Sequence, residues 1–241
     1  MHRIIFIMTL YFSILFSDNL LGKLQKNGLT ITDEHNKTIL IERDSSPLCN
    51  DELIRPNALF GDEFAGRRVP TLCKKTFVTK IGVLQPISIG KGIQTVGELE
   101  VLLHIKNAQE NPNDYILLDA RAVQWFDQMR IPTAVNLPFN KINYVEDKNE
   151  DDFDSMDEYK VYLEQVKKIF NLLNIVETDK GLDFTKAKSV LVYCNGSWCS
   201  QSPHAVYKLI NMGYPKEKIL WYRGGLQDWL IYDYTVTKGK G

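Results

Sequence analysis

The sequence predicts an α/β fold: a mostly parallel sheet with helices on both faces, preceded by an irregular, β-rich extension. Three observations support this. Short buried-type strands alternate with helical patterns from residue 95 onward, as parallel sheets with helical crossovers require. The region before that point has β-rich runs and several Pro and Gly but no sustained helical period. The composition is globular, with 44% hydrophobic and 24% charged residues in a chain of 241, which excludes disordered and collagen-like classes. The formal net charge of −1 gives no general basic excess for binding nucleic acid.

The chain opens MHRIIFIMTLYFSILFSDN. A single early Arg3 precedes an apolar or uncharged run from Ile4 to Phe16, the plan of a secretory signal with an h-region of about 7–15 residues. Asp18 and Asn19 close it well short of the roughly 20 residues a spanning helix needs. Residues 1–17 are therefore expected to direct export, with the periplasm as the expected location. Ser17 suits a cleavage site and Leu15 does not, so an uncleaved anchor is the alternative, and only then is a membrane a partner. Export would allow Cys49 and Cys73 to form a disulfide within the extension, two free thiols being the alternative.

Residues 18–92 form the expected extension. Its runs LTIT and TILIE flank a polar DEHNK segment and predict a hairpin between Gly28 and Arg43. Between Arg55 and Lys80 six Lys or Arg face only Asp62 and Glu63, a locally basic stretch expected to be a solvated face.

Residues 93–237 form the expected α/β domain. Thr95 to Glu98 has capping-box spacing and opens a helix carrying Leu99, Leu102, Leu103 and Ile105. A buried strand follows at Tyr115–Asp119, then a helix near 122–130 and a short strand at 134–137. An acidic linker, Glu146 to Glu158, carries eight acids against Lys148. The helix after Met156 repeats Tyr162, Val166, Phe170 and Leu173 at three- and four-residue steps. Strand Ser189–Tyr193, a helix from about Ser202 to Met212 with Ser202 as cap and Pro203 as its first residue, Ser200 being the alternative cap, strand Ile219–Tyr222 and a helix near 225–231 complete the domain.

The chemistry is expected at Cys194-Asn-Gly-Ser-Trp-Cys199-Ser. A cysteine ending a buried strand, followed by a glycine loop and a helix start, lies where α/β sheets bind ligands. Successive loop N–H groups there favour a thiolate or hold an anionic sulfur.

Four segments in order resemble the rhodanese (sulfurtransferase) family over about residues 95–235. They are Ile116-Leu-Leu-Asp119-Ala-Arg121, Ile131-Pro-Thr-Ala-Val-Asn136-Leu-Pro138 with Thr133 in place of the family's glycine, the Cys194 loop, and Arg223-Gly-Gly-Leu-Gln-Asp-Trp229. The resemblance implies a rhodanese-like fold and a Cys194 persulfide that passes sulfane sulfur from a small donor, thiosulfate or a persulfide, to a thiol acceptor, which can be a protein. It implies a substrate-binding loop of Asn195, Gly196, Ser197, Trp198 and Ser200, with Arg121 and Arg223 bordering it, and a structural role for Asp119. No cofactor, metal or nucleic acid is implied.

The loop departs from many members, which carry glycine and arginine where Ser197 and Cys199 stand. It has no cation of its own, which weakens the case for thiosulfate. Cys199 opens an alternative, a thiol–disulfide enzyme with Cys194 as nucleophile and Cys199 as resolving thiol; Cys199 could also guard Cys194 from over-oxidation. The spacing also occurs in small phosphatase-like enzymes, but Ser200 stands where their arginine is required. A non-catalytic binding module is a third reading, against which Cys194 counts. Trp198 can wall the pocket or pack. His204 can tune the thiolate or lie on the surface.

Overall fold

The structure, a computed structural model, describes residues 20, 23–24, 27–34, 36–42, 85–146 and 148–239. The expectations for residues 1–17, for Cys49 and Cys73, and for the basic stretch 55–80 lie outside the described residues. Among those described, no helix is long and apolar enough to cross a membrane.

The hairpin forms as expected from β1 (Leu29–Thr32) and β2 (Thr38–Ile41), paired antiparallel. The main sheet has five strands in the order β3-β9-β8-β4-β5, and every neighbouring pair is parallel. These strands are β3 (Gln94–Val96), β4 (Tyr115–Asp119), β5 (Val135–Asn136), β8 (Ser189–Tyr193) and β9 (Ile219–Tyr222). The helices are α1 (Glu98–Glu110), α2 (Val123–Gln128), α3 (Met156–Leu173), α4 (Gln201–Asn211) and α5 (Gly225–Ile231). A small antiparallel pair, β6 (Val176–Thr178) with β7 (Gly181–Asp183), lies between α3 and β8.

Alternate residues of each buried strand serve opposite faces, as the pleat demands. Ile116, Leu118, Val190, Val192, Ile219 and Trp221 pack with Val166, Ile169, Phe170 and Leu173 of α3 and Ala205, Val206 and Leu209 of α4. Leu117, Leu191, Tyr193 and Tyr222 pack on the other face with Val101, Leu102 and Ile105 of α1 and Leu226, Trp229 and Leu230 of α5. Ile31 and Ile41 of the hairpin belong to this second cluster. The extension therefore helps close one face of the domain.

Two expected helix starts shift. Thr95 lies in β3, and α1 is capped at Gly97, whose N–H donates to Glu100 Oε2 at 3.0 Å. The carboxylate three residues into a helix reaches back to the cap, so the box begins two residues later than the spacing predicted. Helix α4 begins at Gln201, so the cap position falls on the alternative, Ser200, which makes no side-chain cap bond. Ser202 lies inside the first turn, where its hydroxyl is drawn to buried partners described below.

Candidate functional site

Strand β8 runs between β9 and β4, and its ladder ends at Tyr193. Cys194 is the next residue and is 1% exposed. The loop that follows is held mainly by backbone groups. Cys199 N–H donates to Gly196 O at 2.9 Å, closing a tight turn. From α5, Leu226 N–H donates to Cys194 O at 2.9 Å and Gln227 N–H to Asn195 O at 2.8 Å. The first turn of α5 has orphan N–H groups to offer, and the loop carbonyls accept them.

This approach explains the glycine immediately before Leu226. Gly225 has φ of +57°, a conformation that costs L-residues energy. A Cβ there would run into the carbonyl oxygen of Cys194 and come within 2.9 Å of Gly196 N. Gly196 is constrained by Trp198, whose ring atoms would lie 2.5 and 2.6 Å from an added Cβ. Trp198 thus packs on its own loop, half-buried.

Under the loop lies a buried polar network. The Arg121 Nε donates to both Asp119 oxygens at 2.9 and 3.0 Å, and Nη2 to Oδ2 at 2.6 Å. Arg121 Nη2 also donates to Met129 O, and Nη1 to Asn195 Oδ1 at 3.4 Å. Tyr193 Oη donates to Asp119 Oδ2 at 2.7 Å, and Asn136 Nδ2 donates to the carbonyls of Asp119 and Arg121. Burial opposes the Arg121 charge, yet its bonds and attraction to Asp119 leave its pKa raised. Both side chains are buried, and such pairs stand only when hydrogen bonds satisfy them fully. The geometry gives both residues a positioning role: they fix Asn195, the residue after Cys194.

Arg223 is held by backbone carbonyls of residues 85–86. Its Nε and Nη2 donate to the carbonyls of Gln85 and Pro86 at 2.8–3.2 Å. Gln85 N–H in turn donates to Ser197 O at 2.8 Å. Residues 85–86 thereby tie Arg223 to the tip of the loop. His204 is exposed and stacks on Phe139 with ring centroids 6.1 Å apart, in keeping with a surface role. Ser200 is exposed beside Cys199.

The two loop cysteines are free and buried. Cys194 Sγ donates to Cys199 O at 3.4 Å and lies 3.0 Å from Ser202 Oγ, which accepts Trp221 Nε1–H at 2.9 Å. Ser202 and Trp221 were not among the sequence-derived site residues; Ser202 was expected as a helix cap and Trp221 only as part of a strand. Burial pushes the Cys194 thiol well up, and its bond to the Cys199 sulfur adds to this. The Cys199 thiol moves the other way, to about 7, because Cys194 hydrogen-bonds to it and the Asn195 and Gln201 backbones support its anion. The loop amides expected to favour a Cys194 thiolate thus serve Cys199 more directly. The grooves beside Tyr144 and Tyr162 are lined by neither cysteine.

Comparison with known proteins follows this geometry. The family model of the Rhodanese-like domain matches residues 98–231. No curated protein matches the chain. Among solved structures, a Bacillus halodurans protein aligns at 20% identity over 60% of this chain and 77% of its own, with a TM-score of 0.40. A structure described as rhodanese with anions from E. coli aligns at 20% identity over 52% of this chain and 98% of its own, with a TM-score of 0.30. A thiosulfate sulfurtransferase from Pseudomonas aeruginosa aligns at 16% identity over 61% of this chain but 21% of its own, with a TM-score of 0.37. The family match begins at the first residue of α1 and ends at the last residue of α5, enclosing the Cys194 loop, and the chain belongs to the rhodanese-like domain family.

Proposed function

We propose that the protein is an exported sulfurtransferase in which Cys194 carries sulfane sulfur as a persulfide. The supporting observation is the position of Cys194 at the carboxyl end of β8, under a loop whose carbonyls are fixed by the α5 amides. Covalent catalysis of this kind divides a difficult transfer into two steps. In the first, the Cys194 thiolate attacks the outer sulfur of a donor persulfide, the donor S–S bond breaks, and the donor leaves as a thiolate. In the second, an acceptor thiolate attacks the outer sulfur now on Cys194 and leaves as a persulfide. Small persulfides suit this site better than thiosulfate, because Arg121 is bound to Asp119 and Arg223 to the carbonyls of Gln85 and Pro86. The acceptor is a thiol, on a small molecule or a protein.

A second reading is favoured by one observation, a second free thiol in the same loop, Cys199, whose carbonyl accepts from Cys194 Sγ at 3.4 Å. In that reading Cys199 attacks a substrate disulfide and forms a mixed disulfide, releasing one thiolate. Cys194 then displaces the other half and closes a Cys194–Cys199 disulfide. The substrate disulfide is reduced and the two protein thiols are oxidised.

One experiment separates the readings. The protein is incubated with a low-molecular-weight persulfide or an aliphatic disulfide, trapped, and analysed by peptide mass spectrometry. One added sulfur on the Cys194 peptide supports transfer, and an internal disulfide supports exchange. Neither product would overturn both. Export and the role of residues 1–17 are checked by fractionating cells that express the full chain and measuring the N-terminus; retention in the cytosol with an intact N-terminus would refute export.

A further inference from the structure

The hydrogen bonds around Cys194 include one that comes from a helix and a strand outside the loop. Trp221, on β9, and Ser202, in the first turn of α4, are both 1% exposed. An indole N–H can only donate. Ser202 Oγ therefore accepts from Trp221 at 2.9 Å, and this fixes which way its own proton can turn. The other partner of that oxygen is Cys194 Sγ, at 3.0 Å. We propose that Trp221 and Ser202 form a relay in which the indole orients the serine hydroxyl to donate to Cys194 Sγ, making Ser202 a catalytic residue and Trp221 its positioning residue.

The inference rests on the sulfurtransferase reading and adds to it the group that stabilises the leaving sulfur. When an acceptor thiolate attacks the outer sulfur of the protonated Cys194 persulfide, the S–S bond breaks. Its electron pair moves to Cys194 Sγ, and the acceptor departs as a persulfide carrying the proton. A leaving thiolate departs faster when its anion is stabilised, and Sγ is the atom that Ser202 faces. The same bond assists the first step, in which Sγ must lose its proton to attack. The relay offsets two features that oppose the anion there: burial, and the Cys199 carbonyl that accepts from Sγ at 3.4 Å. Among the described residues, the ionisable groups that interact with Cys194 are Cys199 in the loop and Arg121 just beyond β4. Neither belongs to α4 or β9, so the relay can be altered while they stay in place.

The test uses the full chain with Ser202→Ala, Trp221→Phe, the double variant and the conservative Ser202→Thr. Two rates are followed at the Cys194 peptide by mass spectrometry: alkylation by iodoacetamide against pH, and discharge of a preformed persulfide to a small thiol. Ser202→Ala is expected to slow discharge about tenfold, equivalent to about 1.4 kcal/mol, and to move the Cys194 alkylation midpoint up by about one pH unit. Trp221→Phe is expected to act in the same direction with a smaller effect. The double variant is expected to be no slower than Ser202→Ala, since members of one relay do not add, and Ser202→Thr is expected to restore most of the rate. A serine that only packs would lower thermal stability without moving the alkylation midpoint. An unchanged midpoint in Ser202→Ala, or losses that add in the double variant, would overturn the relay. If the parent protein takes up no sulfur at all, the sulfurtransferase reading fails, while the alkylation profile still decides whether Ser202 donates to Cys194.

Discussion

Replacing Gly225 by alanine tests how the loop is held. The φ of +57° at this position costs an L-residue about 1–2 kcal/mol. The new Cβ would also strike the Cys194 carbonyl oxygen and approach Gly196 N to 2.9 Å. Neither is the end of a flexible side chain, so the loop has to move. Moving it gives up the bonds from Leu226 N–H to Cys194 O and from Gln227 N–H to Asn195 O, each worth about 1 kcal/mol. Alanine recovers about 0.4–1 kcal/mol by restricting the unfolded chain. The net expectation is a loss of about 3 kcal/mol, seen as a lower urea midpoint at unchanged slope. Because both lost bonds hold the residues around the sulfur, persulfide yield on Cys194 should fall as well, under conditions where the variant is still folded. Gly224→Ala is the comparison without a left-handed φ: its φ is −63°, and the added Cβ would crowd the Asp228 side chain, with Asp228 Cβ 2.7 Å away, but no atom of the Cys194 loop is among its nearest neighbours. A loss below about 1 kcal/mol in Gly225→Ala, with normal persulfide yield, would refute the account of a loop pinned by this close approach.

Further outcomes are expected elsewhere. Thr133 replaces the family's glycine at φ of +67° with its hydroxyl buried and unpaired among the described residues; Thr133→Gly should raise stability by about 1 kcal/mol in urea melts. His104 is buried on Ile116 O, and burial lowers its pKa to about 4 from 6.5. It is neutral in the fold, so the unfolded chain binds the extra proton below pH 6.5. Stability is then lost as pH falls from 6.5 to 4, by about 3 kcal/mol, and His104→Gln should flatten that part of the profile. At pH 7, iodoacetamide should label Cys199 before Cys194, and Cys194→Ala should move the Cys199 midpoint upward by removing its thiol donor; peptide mapping against pH measures both. Arg121→Met leaves Asp119 buried without its partner and should cost about 3–5 kcal/mol in the same urea assay.

Elements with a strong internal signal were legible in the sequence. Strands β4, β8 and β9 are short apolar runs, and α3 has its buried residues at Val166, Ile169, Phe170 and Leu173. Elements defined by a partner were not legible. Strand β3 has three residues and exists through its pairing with Leu220, Trp221 and Tyr222 of β9. Strand β6 is exposed throughout, so no alternation marks it. The same division runs through the site. Cys194 and Cys199 stand out by residue type and by the glycine loop between them. Arg121 and Arg223 were noticed as cations, yet their partners are Asp119 and two backbone carbonyls, which charge alone does not reveal. Ser202 acquires its role from Trp221, which reaches it only because β9 lies beside β8.

The hairpin near the start of the chain also bears on how the protein is made. Thr235 N–H donates to Glu42 O, and Glu42 N–H donates to Thr235 Oγ1. Ile31 and Ile41 share their apolar cluster with Trp229, Leu230 and Tyr234. A segment synthesised early thus waits for residues 229–235, and the apolar face of the hairpin stays open to water in the interval. Chain synthesis at about 5–20 residues per second gives that interval a length of roughly ten to forty seconds. During it the nascent chain carries an uncovered apolar face, the form that chaperones bind.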